Sequence, residues 1–229
     1  MIEFSNFSCS FNNREILKNI NLKIKDHLVI LGSNGSGKST LVKSVCKLVK
    51  YEGNILLDGK NTETYEQKEL AKKVVYIPTK LEIADEFISV EEFVLLGRFA
   101  HKRSFFDYTK EDRLLVEKNL EFLKLSHLKK HSVKSLSSGE QQLIQIAQAL
   151  TQQSKTIIFD EPTANLDPRN TMLIASHIRE LKNSHNILVI THDLEFASSL
   201  GIDVAFIKNA SVRLYNEQID FKEMVNEYD

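Results

Sequence analysis

The window Gly32-Ser33-Asn34-Gly35-Ser36-Gly37-Lys38-Ser39-Thr40 gathers three of the chain's 8 glycines, a lysine and two successive hydroxyls. The spacing G-x-x-x-x-G-K-[ST] suits an anion cradled by main-chain amides. Glycines let successive N–H groups turn inward around the anion. A helix beginning near Gly37 adds free donors and partial positive charge. Lys38 is then within reach of the β- and γ-phosphates of a nucleotide, and Ser39 of a Mg²⁺ ion. The competing reading is a Gly-rich strand–turn–helix with no ligand.

A second segment, Ile157-Ile158-Phe159-Asp160-Glu161, is an apolar run that ends in two carboxylates. A buried strand of this kind delivers them to the carboxyl edge of a parallel sheet, where such sheets bind ligands. Asp160 can bind Mg²⁺ through water, and Glu161 can polarise a water that attacks the γ-phosphate. Alone, the pair reads equally as a strand reaching solvent. The glycine-rich window upstream favours the chemical reading.

The elements that must hold these groups follow from the apolar pattern. Residues 2–8 and 15–25 read as strands joined by a turn at Phe11-Asn12-Asn13. Leu28-Val29-Ile30-Leu31 is a short buried strand, followed by a helix from about Gly37 to Val49. Asn54 to Leu57 is a small strand ending in the turn signal Asp58-Gly59. Val74 to Ile77, Thr156 to Phe159, Ile187 to Ile190 and Val204 to Ile207 are further apolar runs. They alternate with helical segments, as in a parallel sheet with crossover helices. Residues 81–152 have a helical texture, with Val116, Leu120 and Leu123 on one face and Leu143, Ile146, Ala147 and Leu150 on another. The expected fold is α/β: a parallel sheet with an antiparallel N-terminal β-subdomain and an inserted helical subdomain.

Composition narrows the class. The chain has 229 residues with 42% apolar and 27% charged side chains, as in an ordinary globular protein. The net charge of −1 offers no global basic field for nucleic acid. No apolar run approaches the roughly 18 residues of a membrane span. No secretory signal is visible, and Cys9 and Cys46 show no metal spacing, which fits a reducing compartment.

Three more segments complete a pattern. Leu136-Ser137-Ser138-Gly139-Glu140 precedes a helix, Pro162-Thr163-Ala164-Asn165-Leu166-Asp167-Pro168 extends the acidic loop, and Thr191-His192-Asp193 follows a buried strand. With the glycine-rich window, in this order and spacing, they resemble the ATP-binding subunit of an ABC transporter over about residues 2–215. The resemblance implies a P-loop NTPase core forming a single ATP-binding domain over 1–229, with ATP and Mg²⁺ as ligands. It assigns ATP phosphate contacts to Gly32 through Thr40, Mg²⁺ contacts to Ser39 and Asp160, and catalytic roles to Lys38, Glu161 and His192. Phe11 falls where the family has an aromatic that stacks on adenine; a core Phe is the equal alternative. Ser137, Ser138, Gly139 and Glu140 match the signature that caps ATP held by a second subunit, and Asp167 matches the loop that crosses that interface. The serine is also an ordinary helix N-cap.

The resemblance further implies a head-to-tail dimer, of two identical subunits or of this one and a homologue, a separate membrane permease and an extracytoplasmic solute-binding protein. Nucleic acid is not an expected partner. The chain would sit on the cytoplasmic face of the cell membrane, held by the permease. Thr79 stands where the family usually carries a Gln that touches Mg²⁺, and Ser138 where a Gly is usual. Val94-Leu95-Leu96-Gly97-Arg98-Phe99-Ala100-His101 is similar to a stretch in the ATPases of iron–siderophore, haem and cobalamin importers; its plain reading is a helix end with a Gly stop and basic residues that suit the dipole. Exporter ATPases and soluble ABC-type regulators are the alternatives.

Overall fold

The computed structural model describes residues 1–12, 14–83, 85–102, 108–215 and 221–228. Strands β1 (Ile2–Phe11) and β2 (Arg14–Ile24) pair antiparallel and start an outer sheet. Short strand β3 (Leu28–Leu31) leads into helix α1 (Lys38–Val45). Strands β4 (Glu52–Leu57) and β5 (Lys60–Asn61) form a hairpin whose turn residues, Asp58 and Gly59, both have positive φ, 51° and 82°. The outer sheet has the order β2-β1-β4-β5. Helix α2 (Gln67–Ala71) precedes β6 (Val74–Ile77).

A helical segment then intervenes: α3 (Val90–Leu95), a 3₁₀ turn over Leu96–His101, α4 (Lys110–Phe122) and α5 (Ser138–Gln152). The chain returns to the sheet through β7 (Thr156–Asp160), α6 (Pro168–Leu181), β8 (Asn186–Thr191), α7 (Leu194–Leu200), β9 (Val204–Lys208) and β10 (Ser211–Tyr215). Helix α8 (Phe221–Tyr228) follows. The inner sheet has the order β10-β9-β3-β8-β7-β6 and is parallel except for β10.

Residues of the central strands alternate between two cores. Val29, Leu31, Ile157, Phe159 and Val189 join the core built with α3–α6. Leu28, Ile30, Ile158, Leu188 and Ile190 join the core built with β1, β2 and α1. A sheet covered on both faces needs continuous apolar strands, and this explains their four- and five-residue runs. Each fully buried Leu, Ile or Phe contributes about 1.5–3 kcal/mol relative to exposure.

Three local expectations are corrected. The first strand continues to Phe11, and the turn begins at Asn12 with φ 49°. Helix α1 stops at Val45 rather than Val49, because Lys47 takes a left-handed φ of 58° and Leu48 N–H bonds back to Lys43 O at 3.0 Å. Helix α3 does end just before Gly97, but Gly97 has no positive φ to stop it: it lies within the 3₁₀ turn, where its backbone packs against α5. A Cβ at Gly97 would lie 2.4 Å from Gln148 O. Arg98 beside it donates to Asp112 Oδ1 at 2.6 Å and to Thr151 O at 3.1 Å, at the carboxyl end of α5. The guanidinium thereby satisfies a terminal carbonyl and opposes the helix dipole. Local packing thus accounts for the Gly97-Arg98 pair. The sequence Arg103-Ser104-Phe105-Phe106, whose mix of basic and aromatic groups suits either a partner surface or a solvated loop, lies outside the described residues.

Candidate functional site

The chemically loaded residues meet at the carboxyl ends of the parallel strands. Gly32 follows β3, Asp160 ends β7, Glu161 follows it and His192 follows β8. Gly37 caps α1 with a φ of 101°, which a Cβ would strain. Lys38 is only 5% exposed, and its Nζ donates to Gly32 O at 2.7 Å and Ser33 O at 3.1 Å. Ser36 Oγ is buried in the loop without a protein partner. That orphaned hydroxyl, beside an ammonium held among carbonyls, fits a site shaped for an anion.

Ser39 Oγ donates to Asp160 Oδ1 at 3.0 Å, although the two residues are 121 positions apart. The pair offers only hard oxygen donors, which fits Mg²⁺. Among the described residues no three His, Cys, Asp or Glu side chains cluster to hold a metal. A Mg²⁺ ion at this pair would therefore take its remaining ligands from phosphate and water, its usual manner of binding.

Neighbouring residues of a regular strand point to opposite faces. Glu161 escapes that alternation by a left-handed φ of 48°, with its N–H bonded to Ile190 O at 2.8 Å. Such a conformation costs a non-glycine residue about 1–2 kcal/mol. Its carboxylate is held on both sides. Oε2 accepts from Thr191 Oγ1 at 3.2 Å and from His192 N–H at 3.3 Å, and lies 2.9 Å from His192 Nδ1. Oε1 lies 3.5 Å from Lys38 Nζ. A base beside a cation and an orienting imidazole is an arrangement for activating water.

Phe11 is 70% exposed and so is not a core residue. With Ile16, Gly35, Thr40 and Lys43 it lines a cleft of about 730 Å³ beside the phosphate loop. Ser33 and Asn34 are exposed on the loop, and Asn34 borders that cleft too. Thr79 is exposed and makes no hydrogen bond to Asp160 or Glu161 among the described residues.

The signature segment forms its own local structure. Ser137 caps α5, and Glu140 Oε2 accepts from Ser137 N–H at 2.8 Å and from its Oγ at 2.7 Å. These bonds from Ser137 hold the Glu140 carboxyl below the usual range. Ser138 is the first residue of α5 and has no positive φ, so its Cβ is tolerated. Gly139 packs against the Asn170 side chain, whose Nδ2 donates to Asp167 Oδ2 at 2.6 Å. Asp167 caps α6 by accepting from Asn170 N–H at 2.9 Å. Among the described residues no hydrogen bond or ion pair joins Ser137–Glu140 to the phosphate loop of the same chain.

Three contacts were not foreseen from the sequence. Thr191 bonds Glu161, and Tyr228 Oη approaches Gly32 O at 3.5 Å. Tyr76 Oη donates to Asp160 Oδ2 at 2.5 Å. Burial, then the Asp160 carboxylate, push the Tyr76 phenol far up, so it stays protonated and donates. Its one sequence signal is a polar tip within the otherwise apolar strand Val74–Ile77.

The sequence pattern of the ABC transporter family matches residues 17–164. A phosphonates import ATP-binding protein of Halalkalibacterium halodurans is 36% identical over 203 residues, covering 84% of this chain and 78% of the relative. A probable siderophore transport system ATP-binding protein of Bacillus subtilis is 33% identical over 221 residues, covering 94% and 79%. Among solved structures, a dimeric ATP-binding cassette in a post-hydrolysis state with ADP and Pi superposes with a TM-score of 0.81. It is 26% identical, and the match covers 94% of this chain and 98% of that one. No helix of the described residues is long and apolar enough to cross a membrane. With both the family pattern and these relatives spanning most of its length, the chain belongs to the ABC transporter family, as an ATP-binding subunit that hydrolyses ATP.

Proposed function

We propose that this subunit drives import of an iron chelate or a chemically similar cargo through a separate membrane permease. The observation that carries the catalytic part is Glu161, turned out of its strand and held by Lys38, Thr191 and His192. In this reading residues 1–229 act as one ATP-binding domain, with residues 81–152 as its helical subdomain. Gly32 through Thr40 bind the ATP phosphates, Lys38 neutralises β- and γ-phosphate charge, and Phe11 stacks on adenine. Glu161 is the general base, and His192 orients it and contacts the γ-phosphate. Ser39 and Asp160 hold Mg²⁺; the ion supplies charge neutralisation along the phosphates.

Two copies pair head to tail. Ser137, Ser138, Gly139 and Glu140 of each then cap the ATP of the other, and Asp167 lines the crossing. A solute-binding protein outside the cell delivers cargo, and the dimer works at the cytoplasmic face of the membrane. The siderophore relative supports the cargo class. The phosphonates relative is of similar identity and supports phosphonate as the second reading.

The test is to affinity-purify the chain from detergent-solubilised membranes and to measure uptake in a strain lacking it. Co-purification of a polytopic protein, with lost uptake of radioactive iron chelate, supports the proposal. Lost phosphonate uptake with intact iron uptake moves the cargo to the second reading. A polytopic partner with both uptakes intact overturns import.

A further inference from the structure

Asp160 receives a hydroxyl on each of its oxygens. Ser39 Oγ lies 3.0 Å from Oδ1 and forms the metal pair proposed above. Tyr76 Oη lies 2.5 Å from Oδ2 and has no part in that pair. The second contact is built into the sheet. Strands β6 and β7 are parallel neighbours with Tyr76 opposite Ile158. Asp160, two residues beyond Ile158, therefore points to the same face as Tyr76. The phenol ring is held in turn by Lys43, whose Nζ lies 5.7 Å from its centroid.

A Mg²⁺ ion demands nearly ideal octahedral geometry, so a carboxylate that holds it, directly or through a water, must be kept at a fixed angle. Partners of the ligand supply that constraint. Thr79, which stands where the family usually has a Gln that touches the ion, is exposed. We propose that Tyr76 is a positioning residue that fixes the Asp160 carboxylate for Mg²⁺, so that the link from the end of β6 to the metal site runs through residue 76 rather than residue 79. The inference rests on the Mg²⁺ reading of Ser39 and Asp160.

The test uses Tyr76→Phe in the full chain, which keeps the ring and removes only the hydroxyl. Affinity for a fluorescent, non-hydrolysable ATP analogue is measured with Mg²⁺ and again with EDTA. Loss of an outer partner of a metal ligand typically weakens metal affinity at least about tenfold. The Kd with Mg²⁺ is expected to rise about tenfold, and the Kd in EDTA to change less than about twofold. In turnover assays the Mg²⁺ concentration for half-maximal rate rises by the same factor, while the rate at saturating Mg²⁺ recovers. Equal shifts in both Kd values would mean that Tyr76 merely packs the site, and no shift in either would mean that it does nothing for the ion; each overturns the proposal. If the wild type binds equally well with Mg²⁺ and with EDTA, the metal site itself fails. If the wild type depends on Mg²⁺ and Tyr76→Phe matches it, only the role of Tyr76 fails.

Discussion

Gly97→Ala tests whether the Leu-Gly-Arg stretch is there for packing. The new Cβ would lie 2.4 Å from Gln148 O and 3.1 Å from Gln152 N, both backbone atoms of α5. A carbon–oxygen contact normally closes no nearer than about 3.3 Å. The 3₁₀ turn and α5 must therefore part by about 1 Å, loosening Arg98 from Thr151 O and Asp112. Overpacking of this kind costs about 1–3 kcal/mol. The backbone term has the opposite sign. Gly97 has no positive φ, so alanine fits its conformation and gains about 0.5–1 kcal/mol over glycine. The two terms leave a net loss of up to about 2.5 kcal/mol, centred near 1 kcal/mol. For a chain of this size each kcal/mol moves Tm by about 2–4 °C, so Tm falls by about 2–4 °C at the centre of that range. Thermal unfolding followed by circular dichroism reads it, with ATP affinity measured alongside and expected within about twofold of wild type. An unchanged or raised Tm would refute the reasoning, because the backbone term alone predicts a rise.

Glu161→Gln keeps the shape of the base and removes its charge; turnover should fall at least about 100-fold while ATP still binds, read by phosphate release and equilibrium binding. Ser138→Gly should leave turnover within about twofold, since Ser138 already sits in a relaxed helical position; a tenfold gain would mean that its side chain obstructs the site. Burial lowers the pKa of His27, His101, His177 and His185 below the ordinary 6.5. The unfolded chain therefore binds more protons as pH falls through about 6.5, and stability present above that pH is lost below it. Urea midpoints at pH 7.5 should exceed those at pH 5.5, and His177→Leu should flatten the difference; a level profile in the wild type would contradict this.

The phosphate loop was legible because glycine is scarce in the chain and three of its 8 fall in one window, and the acidic strand end because an apolar run stops at two carboxylates; His192 stood out only through the family resemblance. The two-sided sheet was legible from four-residue apolar runs such as Leu28–Leu31. Other features depended on contacts between distant segments. Tyr76 meets Asp160 only through the register of β6 on β7, which local pattern does not encode. Glu161 follows Asp160 directly, so strand alternation would have turned it away; its left-handed φ became visible only in the fold. Gly97-Arg98 was read by likeness to a subfamily, yet its local cause is the close passage of a 3₁₀ turn over α5. The end of α1 was misjudged because Leu48 and Val49 extend the apolar pattern while the backbone has already turned at Lys47.

Lys38 enters binding already partnered: its ammonium gives two of its three donors to Gly32 O and Ser33 O and lies 3.5 Å from Glu161 Oε1. An arriving anion must exchange for those bonds rather than meet a bare charge. Exchange leaves only a modest net gain per contact, about 1.5–3 kcal/mol for a hydrogen bond to a charged group. A lone inorganic phosphate gathers too few such increments to offset its lost translational freedom. A triphosphate that spans the whole loop collects many at once. The loop thus sorts anions by length as well as by charge, and free phosphate should be a poor competitor for it even when abundant.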